Sequence, residues 1–156
     1  MTTETSDLLI CGGGYVGLGV AVAVKAAAPE LSVTLIDAAP EGVWQKDPRA
    51  SAIAAAASRM LTTLGLWDEI VPEAEPIRDM IVTDSRTSDP VRPTFPTFGG
   101  EVNPGEPFAH MVPNVAMVGP LRRKAEELGV TIHQSAAADG LEIGPDRGTL
   151  TTADGR

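Results

Sequence analysis

Two rhythms of apolar and polar positions run along this chain. Leu8-Leu9-Ile10-Cys11 is a continuous apolar run that stops abruptly at Gly12. Helix formers follow (Leu18, Val20, Ala21, Val22, Ala23, Val24, Lys25, Ala26), and a second apolar run, Leu31-Ser-Val-Thr-Leu-Ile36, ends at Asp37. Short apolar runs bounded by turn residues read as buried strands, and a longer helix-forming stretch between them reads as a helix. Residues 7–37 therefore predict strand, tight turn, helix and strand. Residues 38–48, rich in Pro, Gly and acid, predict a loop. From Arg49 or Ser51 to Leu64 the positions Ile53, Ala57, Met60, Leu61 and Leu64 share one helical face, and Gly65 is placed to end that helix. Leu66–Val71 predicts one more short helical turn before Pro72.

The rhythm changes at Ile77. Ile77 and Met80–Val82, Val91–Phe98 and Phe108–Val112 predict strands separated by Asp-, Pro- and Gly-rich loops. Pro93 and Pro96 make the second of these an edge or irregular strand. These segments, about residues 77–112, look like an antiparallel insertion. A helix with Leu121, Ala125 and Leu128 then runs to Gly129, and Val130–His133 predicts a strand. Leu141–Ile143 and Thr149–Thr152 bracket Gly-Pro-Asp-Arg-Gly as a hairpin. The fold expected is α/β: a Rossmann-like βαβ unit with a parallel sheet, carrying an antiparallel β insertion.

The first turn carries candidate chemistry. Gly12-x-Gly14-x-x-Gly17, with Tyr15 and Val16 inside it, follows a strand and opens a helix, the context that the dinucleotide-binding fingerprint requires. Gly12 allows the turn, Gly14 lets a pyrophosphate approach the backbone, and Gly17 lets helix and strand pack closely. The helix N-terminus, with unpaired N–H groups and partial positive charge, then faces the phosphates. Asp37 follows Gly17 by 20 residues, where an acid is expected to meet an adenosine ribose hydroxyl. A carboxylate there disfavours a 2′-phosphate, so FAD and NAD remain as ligands and NADP does not. An ordinary βαβ unit with a glycine turn and a surface acid is the plainer alternative.

Composition narrows the classes. The 156 residues are 43% hydrophobic and 21% charged, which gives one core in a soluble globular chain. A net charge of −9, with cations scattered (Arg78, Arg86, Arg92) or on one helical turn (Arg122, Arg123, Lys124), argues against a nucleic-acid partner. Cys11 is the single cysteine, so no intrachain disulfide forms, and it is expected as a small buried side chain at a strand end. His110 and His133 lie 23 residues apart without a ligand cluster, so no metal is expected, and no nucleophile-elbow pattern is present. No signal peptide and no apolar run of spanning length are read, so a cytoplasmic protein is expected, with membrane contact at most peripheral.

Further stretches carry a resemblance. Arg49-Ala-Ser-Ala-Ile53, Arg59-Met-Leu-x-x-Leu-Gly-Leu-Trp-Asp68, Pro76-Ile-x-Asp-Met80, Val82-Thr-Asp-Ser-Arg86 and Pro107-Phe-Ala-His-Met-Val112 join the glycine motif and Asp37. Together they resemble the N-terminal part of class A flavoprotein monooxygenases, most of all the ubiquinone-biosynthesis ring hydroxylases. The resemblance implies FAD as cofactor, NAD(P)H as electron donor, and an electron-rich aromatic quinone precursor that receives one hydroxyl from O₂. It implies that Gly12, Gly14 and Gly17, with Tyr15 and Val16, hold the FAD pyrophosphate and that Asp37 holds the ribose. Arg49 is matched to an arginine beside the adenosine and pyrophosphate, the alternative being a surface arginine at a helix start. Asn114 is matched to a polar side chain near the ribityl chain. No catalytic residue is assigned.

The chain also departs from that pattern. Pro120 follows Asn114 closely and removes a helical N–H, at a cost of ~3 kcal/mol in a helix interior, so the helix is expected to start near Gly119. No Gly-Asp dipeptide occurs, and Asp139-Gly140 and Asp154-Gly155 read as turns. The second flavin motif and the substrate domain are thus expected to lie outside residues 1–156. On this reading the chain is an incomplete FAD-binding domain, expected to bind FAD weakly or not at all by itself, to be inactive alone and to self-associate. Two alternatives stay open: another flavoprotein of the same fold with a different substrate, and a stand-alone nucleotide-binding module without turnover.

Overall fold

The structure, a computed structural model, describes residues 3–83, 88, 90–91 and 94–155. Expectations touching Arg86, Arg92, Pro93 and most of the 84–90 loop lie outside the described residues. Along the chain run β1 (Leu8–Cys11), α1 (Tyr15–Ala27), β2 (Val33–Ile36), β3 (Ala50–Ala54), α2 (Ala55–Thr63), α3 (Trp67–Ile70), β4 (Glu75–Ile77) and β5 (Asp79–Thr83). They are followed by β6 (Thr94–Gly99), β7 (Glu101–Asn103), β8 (Glu106–Pro107), β9 (Ala109–Pro113), α4 (Asn114–Glu127), β10 (Thr131–His133), β11 (Ala138–Ile143) and β12 (Gly148–Thr152). The chain divides into two compact units: residues up to Arg49 with those from Asn114 onward, and Ala50–Pro113.

The first unit holds a parallel sheet in the order β1-β2-β10. Leu8 pairs with Val33 and Cys11 with Ile36, while Thr131 pairs with Thr34 on the other side of β2. All four residues of β2 are buried, as suits a central parallel strand covered on both faces. Leu18, Ala21 and Val22 of α1 and Met117, Val118, Leu121 and Ala125 of α4 complete this core. The α/β class and the opening βαβ unit expected from the apolar rhythm are borne out. The expected burial of Cys11 is not, because its side chain is exposed. β1 is an outer strand of the described sheet, with Leu8 and Ile10 half-buried and Leu9 and Cys11 on the open side.

The expected helix start at Gly119 is also corrected. α4 begins at Asn114 and runs through Pro120. Gly119 lacks the Cβ that a following proline ring would press upon, and burial supplies the rest. Met117, Val118 and Leu121 are almost wholly buried, and each such side chain contributes roughly 1.5–3 kcal/mol, which together exceeds the ~3 kcal/mol that an interior proline costs. Asp139-Gly140, expected as a turn, lies within β11 at a break in register with β12. The β11–β12 hairpin itself forms as expected, paired antiparallel from Ala138↔Thr152 to Ile143↔Gly148.

The second unit is antiparallel among its described strands. β3, β9 and β4 form one sheet, with Ile53 and Pro76 flanking His110, and β5–β6 and β7–β8 are two-stranded ribbons. The expected helix from Arg49 or Ser51 is shortened here, because Ala50–Ala54 is strand and α2 starts only at Ala55. Pairing with β9 overrides the alanine-rich local preference, and Ile53 reaches the core from the strand. Gly65, at φ +72°, ends α2 as expected: its N–H donates to Thr62 and the Leu66 N–H to Leu61. Between β5 and β6, Ile81 pairs with Thr97 but Thr83 with Thr94, so two residues including Pro96 face Val82 as a bulge. Leu61, Leu66, Ile70 and Val112 form this unit's core, and Trp67 meets His110 edge-on with ring centroids 5.1 Å apart.

Arg59 of α2 donates from Nε and Nη2 to the two Glu106 oxygens at 2.7 Å each. This pairing holds the Glu106 carboxyl below its ordinary value. A carboxylate lowered in the folded state adds stability above its unfolded value, and that contribution is lost as pH falls through the folded value. Glu106→Gln is therefore expected to lower the melting midpoint slightly at neutral pH, with the difference from wild type closing in acid. A difference of equal size at both ends of that range would assign the effect to packing instead.

Candidate functional site

The glycine turn is built by three different constraints. Gly12 stands at φ +109°, a conformation side chains disfavour, and its N–H donates to the Ile36 carbonyl at 2.8 Å. A Cβ on Gly17 would lie 2.0 Å from the Gly12 carbonyl oxygen, so the first turn of α1 can rest on β1 only as glycine. Gly14 is the N-cap of α1 and offers no side-chain cap, and a Cβ there would meet nothing within 4 Å. The 13-residue helix thus points its positive end at open space, with no acidic residue in its first turn to occupy it. Tyr15 is half-buried and Val16 is exposed beside this space.

Asp37 is held at the same turn. Its N–H donates to the His133 carbonyl and its own carbonyl accepts from the Ala136 N–H, both at 2.8 Å. Its Oδ1 accepts the Ala39 N–H at 3.1 Å. Its Oδ2 lies 2.5 Å from where a Cβ on Gly13 would stand. Gly13 occupies a position that the motif leaves open, and sequence reasoning passed over it. The signal was there in three consecutive glycines, since only two of them are accounted for by the motif. The structure brings the acid expected at the ribose and the turn expected at the pyrophosphate into direct contact.

A second cluster in this unit surrounds Asp47. Arg49 donates from Nε to Asp47 Oδ1 and from Nη2 to Oδ2, at 2.8 Å each, and its backbone N–H donates to Oδ1 at 3.0 Å. The Asn114 amide nitrogen donates to Oδ2 at 3.0 Å, and the Asn114 N–H donates to the Arg49 carbonyl at 2.9 Å. Hydrogen bonds from the Arg49 guanidinium, then from Asn114, hold the Asp47 carboxyl far below the carboxylate range. Asp47 in turn raises Arg49, and the first residue of α1, Tyr15, lies within electrostatic reach of the same guanidinium. Arg49 precedes a strand rather than opening a helix, and Asn114 is buried at the start of α4. Asp47 was not singled out from the sequence. The trace it leaves there is an acid two residues before an arginine, with Pro48 fixing the turn between them.

No family model matches the chain. A ubiquinone hydroxylase, UbiL, of Rhodospirillum rubrum is 44% identical over 84 residues, which are 52% of this chain and 19% of that protein. Among solved structures, the p-nitrophenol 4-monooxygenase PnpA of Pseudomonas putida superposes with a TM-score of 0.70 at 18% identity, over 99% of this chain and 38% of that one. PqsL of Pseudomonas aeruginosa, a probable FAD-dependent monooxygenase, does so with a TM-score of 0.65 at 15% identity, over 98% of this chain and 40% of that one. The chain spans less than half the length of each of these proteins. At such identities the structures speak for the fold and the hydroxylase for the sequence. The chain therefore has, over nearly all its length, the fold these monooxygenases share, and over 84 residues its sequence is similar to that of a ubiquinone hydroxylase.

Proposed function

We propose that this chain is the FAD-binding portion of a flavin-dependent monooxygenase that hydroxylates an aromatic ring in ubiquinone biosynthesis, using NAD(P)H and O₂. The observation that carries the cofactor is the uncapped end of α1 facing open space at Gly14, with Asp37 fixed against Gly13 beside it. Backbone N–H groups and the helix dipole suit a pyrophosphate there, and a fixed carboxylate suits a ribose diol. FAD, when bound, supplies redox chemistry and oxygen activation that no side chain can. The protein's own part in this segment is to bind and orient the adenosine diphosphate end: Gly12, Gly14, Tyr15, Val16 and Gly17 shape the turn, and Asp37 sets the ribose. Arg49 adds positive charge near the phosphates, and Asn114 supports that region from α4. The ring hydroxylated is that of a quinone precursor, a reading supported by the hydroxylase match.

Titration of the full-length protein, of which this chain is the FAD-binding portion in this proposal, with FAD, NADH and NADPH, followed by flavin fluorescence and calorimetry, tests the assignment. FAD is expected to bind the glycine turn, with NADPH the weakest because its 2′-phosphate meets Asp37. Preferential binding of NADPH at this turn would overturn the proposal. Among the described residues no helix is long and apolar enough to cross a membrane.

A further inference from the structure

Arg49 has been matched to a phosphate partner, yet its guanidinium is already engaged. Asp47 takes Nε and Nη2 in a two-point grip, and it also accepts the backbone N–H of the same residue. A guanidinium has five N–H donors in one plane. The grip uses two of them and leaves three, on the far side, for an incoming oxyanion. The Arg49 side chain is 78% exposed, so without the grip it would sample many rotamers, whereas the Asp47 side chain is only 16% exposed. Asp47 is itself fixed from α4 through the buried Asn114 amide, and the Asn114 N–H on the Arg49 carbonyl ties the same two segments a second time.

We infer that Asp47 is a positioning residue for the cofactor: anchored by Asn114, it holds the Arg49 guanidinium with its outer edge presented to the FAD pyrophosphate. This rests on the reading of the glycine turn as an FAD site. It assigns Asn114 a task that the sequence match does not include, which is to orient Asp47. Two opposing effects decide the sign. A carboxylate near a pyrophosphate repels it, and a flexible arginine loses much side-chain freedom when it binds. The pairing weakens both charges at contact distance, so attraction and repulsion fall together, and pre-organisation of the planar fork decides the sign in favour of binding.

The test is a double-mutant cycle on FAD affinity in the full-length protein, read by quenching of flavin fluorescence, with circular dichroism melts for every variant. Asp47→Ala is expected to weaken FAD binding at least tenfold, and Asp47→Asn, which keeps the shape and one acceptor, by less. In a chain already carrying Arg49→Ala, adding Asp47→Ala is expected to change affinity less than threefold, because its effect passes through Arg49. Unchanged or tighter binding by Asp47→Ala would show that Asp47 only competes with the phosphates, and an equal loss with and without Arg49 would show a merely structural role. Either result overturns the inference while wild type still binds. Should Asp47→Ala fail to fold, Asp47→Asn carries the same cycle. A full-length wild-type protein with no affinity for FAD overturns the cofactor reading itself, an outcome distinct from both.

Discussion

In the full-length protein, Gly17→Ala is expected to destabilise the first unit and abolish FAD binding together. The added Cβ would stand 2.0 Å from the Gly12 carbonyl oxygen and 3.3 Å from Ile10 Cγ2. Neither neighbour can yield cheaply. The Gly12 backbone sits at φ +109° and its N–H is tied to Ile36 at 2.8 Å, so moving it means moving the joint between β1 and β2. Overpacking of a tight site costs typically ~1–3 kcal/mol, and a backbone obstacle puts this one at the upper end. The matched control is Gly14→Val. Gly14 stands at φ −73° with nothing within 4 Å of a Cβ, so the fold should survive with no more than the ~1 kcal/mol typical of a changed helix cap. Its side chain fills the space where the pyrophosphate is expected, so flavin is lost all the same. Urea unfolding followed by the tryptophans, alongside the flavin absorbance of each purified variant, separates the two. A Gly17→Ala chain as stable as wild type would mean that helix and strand do not approach as closely as the geometry states. A Gly14→Val chain that keeps stoichiometric FAD would move the phosphates away from this turn.

The motif gives these two glycines different tasks, and the geometry puts a size on the difference. What the sequence made legible was local. The run from Leu8 to Asp37 gave the βαβ opening because strand, turn and helix are each specified within a few residues. Gly65 and Gly129 ended their helices where expected because a helix stop is a local event. Features set by distant partners stayed hidden. Ala50–Ala54 reads as helix until its pairing with Ala109–Pro113, some sixty residues on, makes it a strand. Pro120 reads as a helix start until the burial of Met117, Val118 and Leu121 outweighs it. Cys11 reads as buried until its place on the outer strand exposes it.

The site divides along the same line. Gly12, Gly14, Gly17 and Asp37 are proposed from spacing, because each answers to the turn or to the expected ligand. Gly13 and Asp47 answer only to other side chains, Gly13 making room for Asp37 and Asp47 gripping Arg49. A spacing rule written for ligand contacts has no place for either.

In the full-length protein, Asp37→Ala is expected to weaken FAD binding by about 1–3 kcal/mol, the range for leaving a buried polar partner unpaired, which is roughly a five- to 150-fold rise in Kd. The carboxylate is pre-set rather than mobile. Its Oδ1 is held by the Ala39 N–H at 3.1 Å, and its Oδ2 rests against Gly13 at the turn. Asp37→Asn keeps the shape and one acceptor and should lose less. Gly13→Ala offers an independent route to the same effect, because its methyl would fall 2.5 Å from Oδ2 and push the acid off its position without altering its chemistry. Competition by ADP and by its 2′-phosphorylated analogue against FAD reads the charge separately from the contact. Wild type should discriminate strongly against the 2′-phosphate, and Asp37→Ala and Asp37→Asn should narrow the gap by removing the repelling charge. Gly13→Ala should weaken both competitors while keeping the order. If Asp37→Ala binds FAD as wild type does and the discrimination is unchanged, the acid at the end of β2 does not meet the ribose. The fixed carboxylate would then serve only to hold the turn after β2 through the Ala39 N–H.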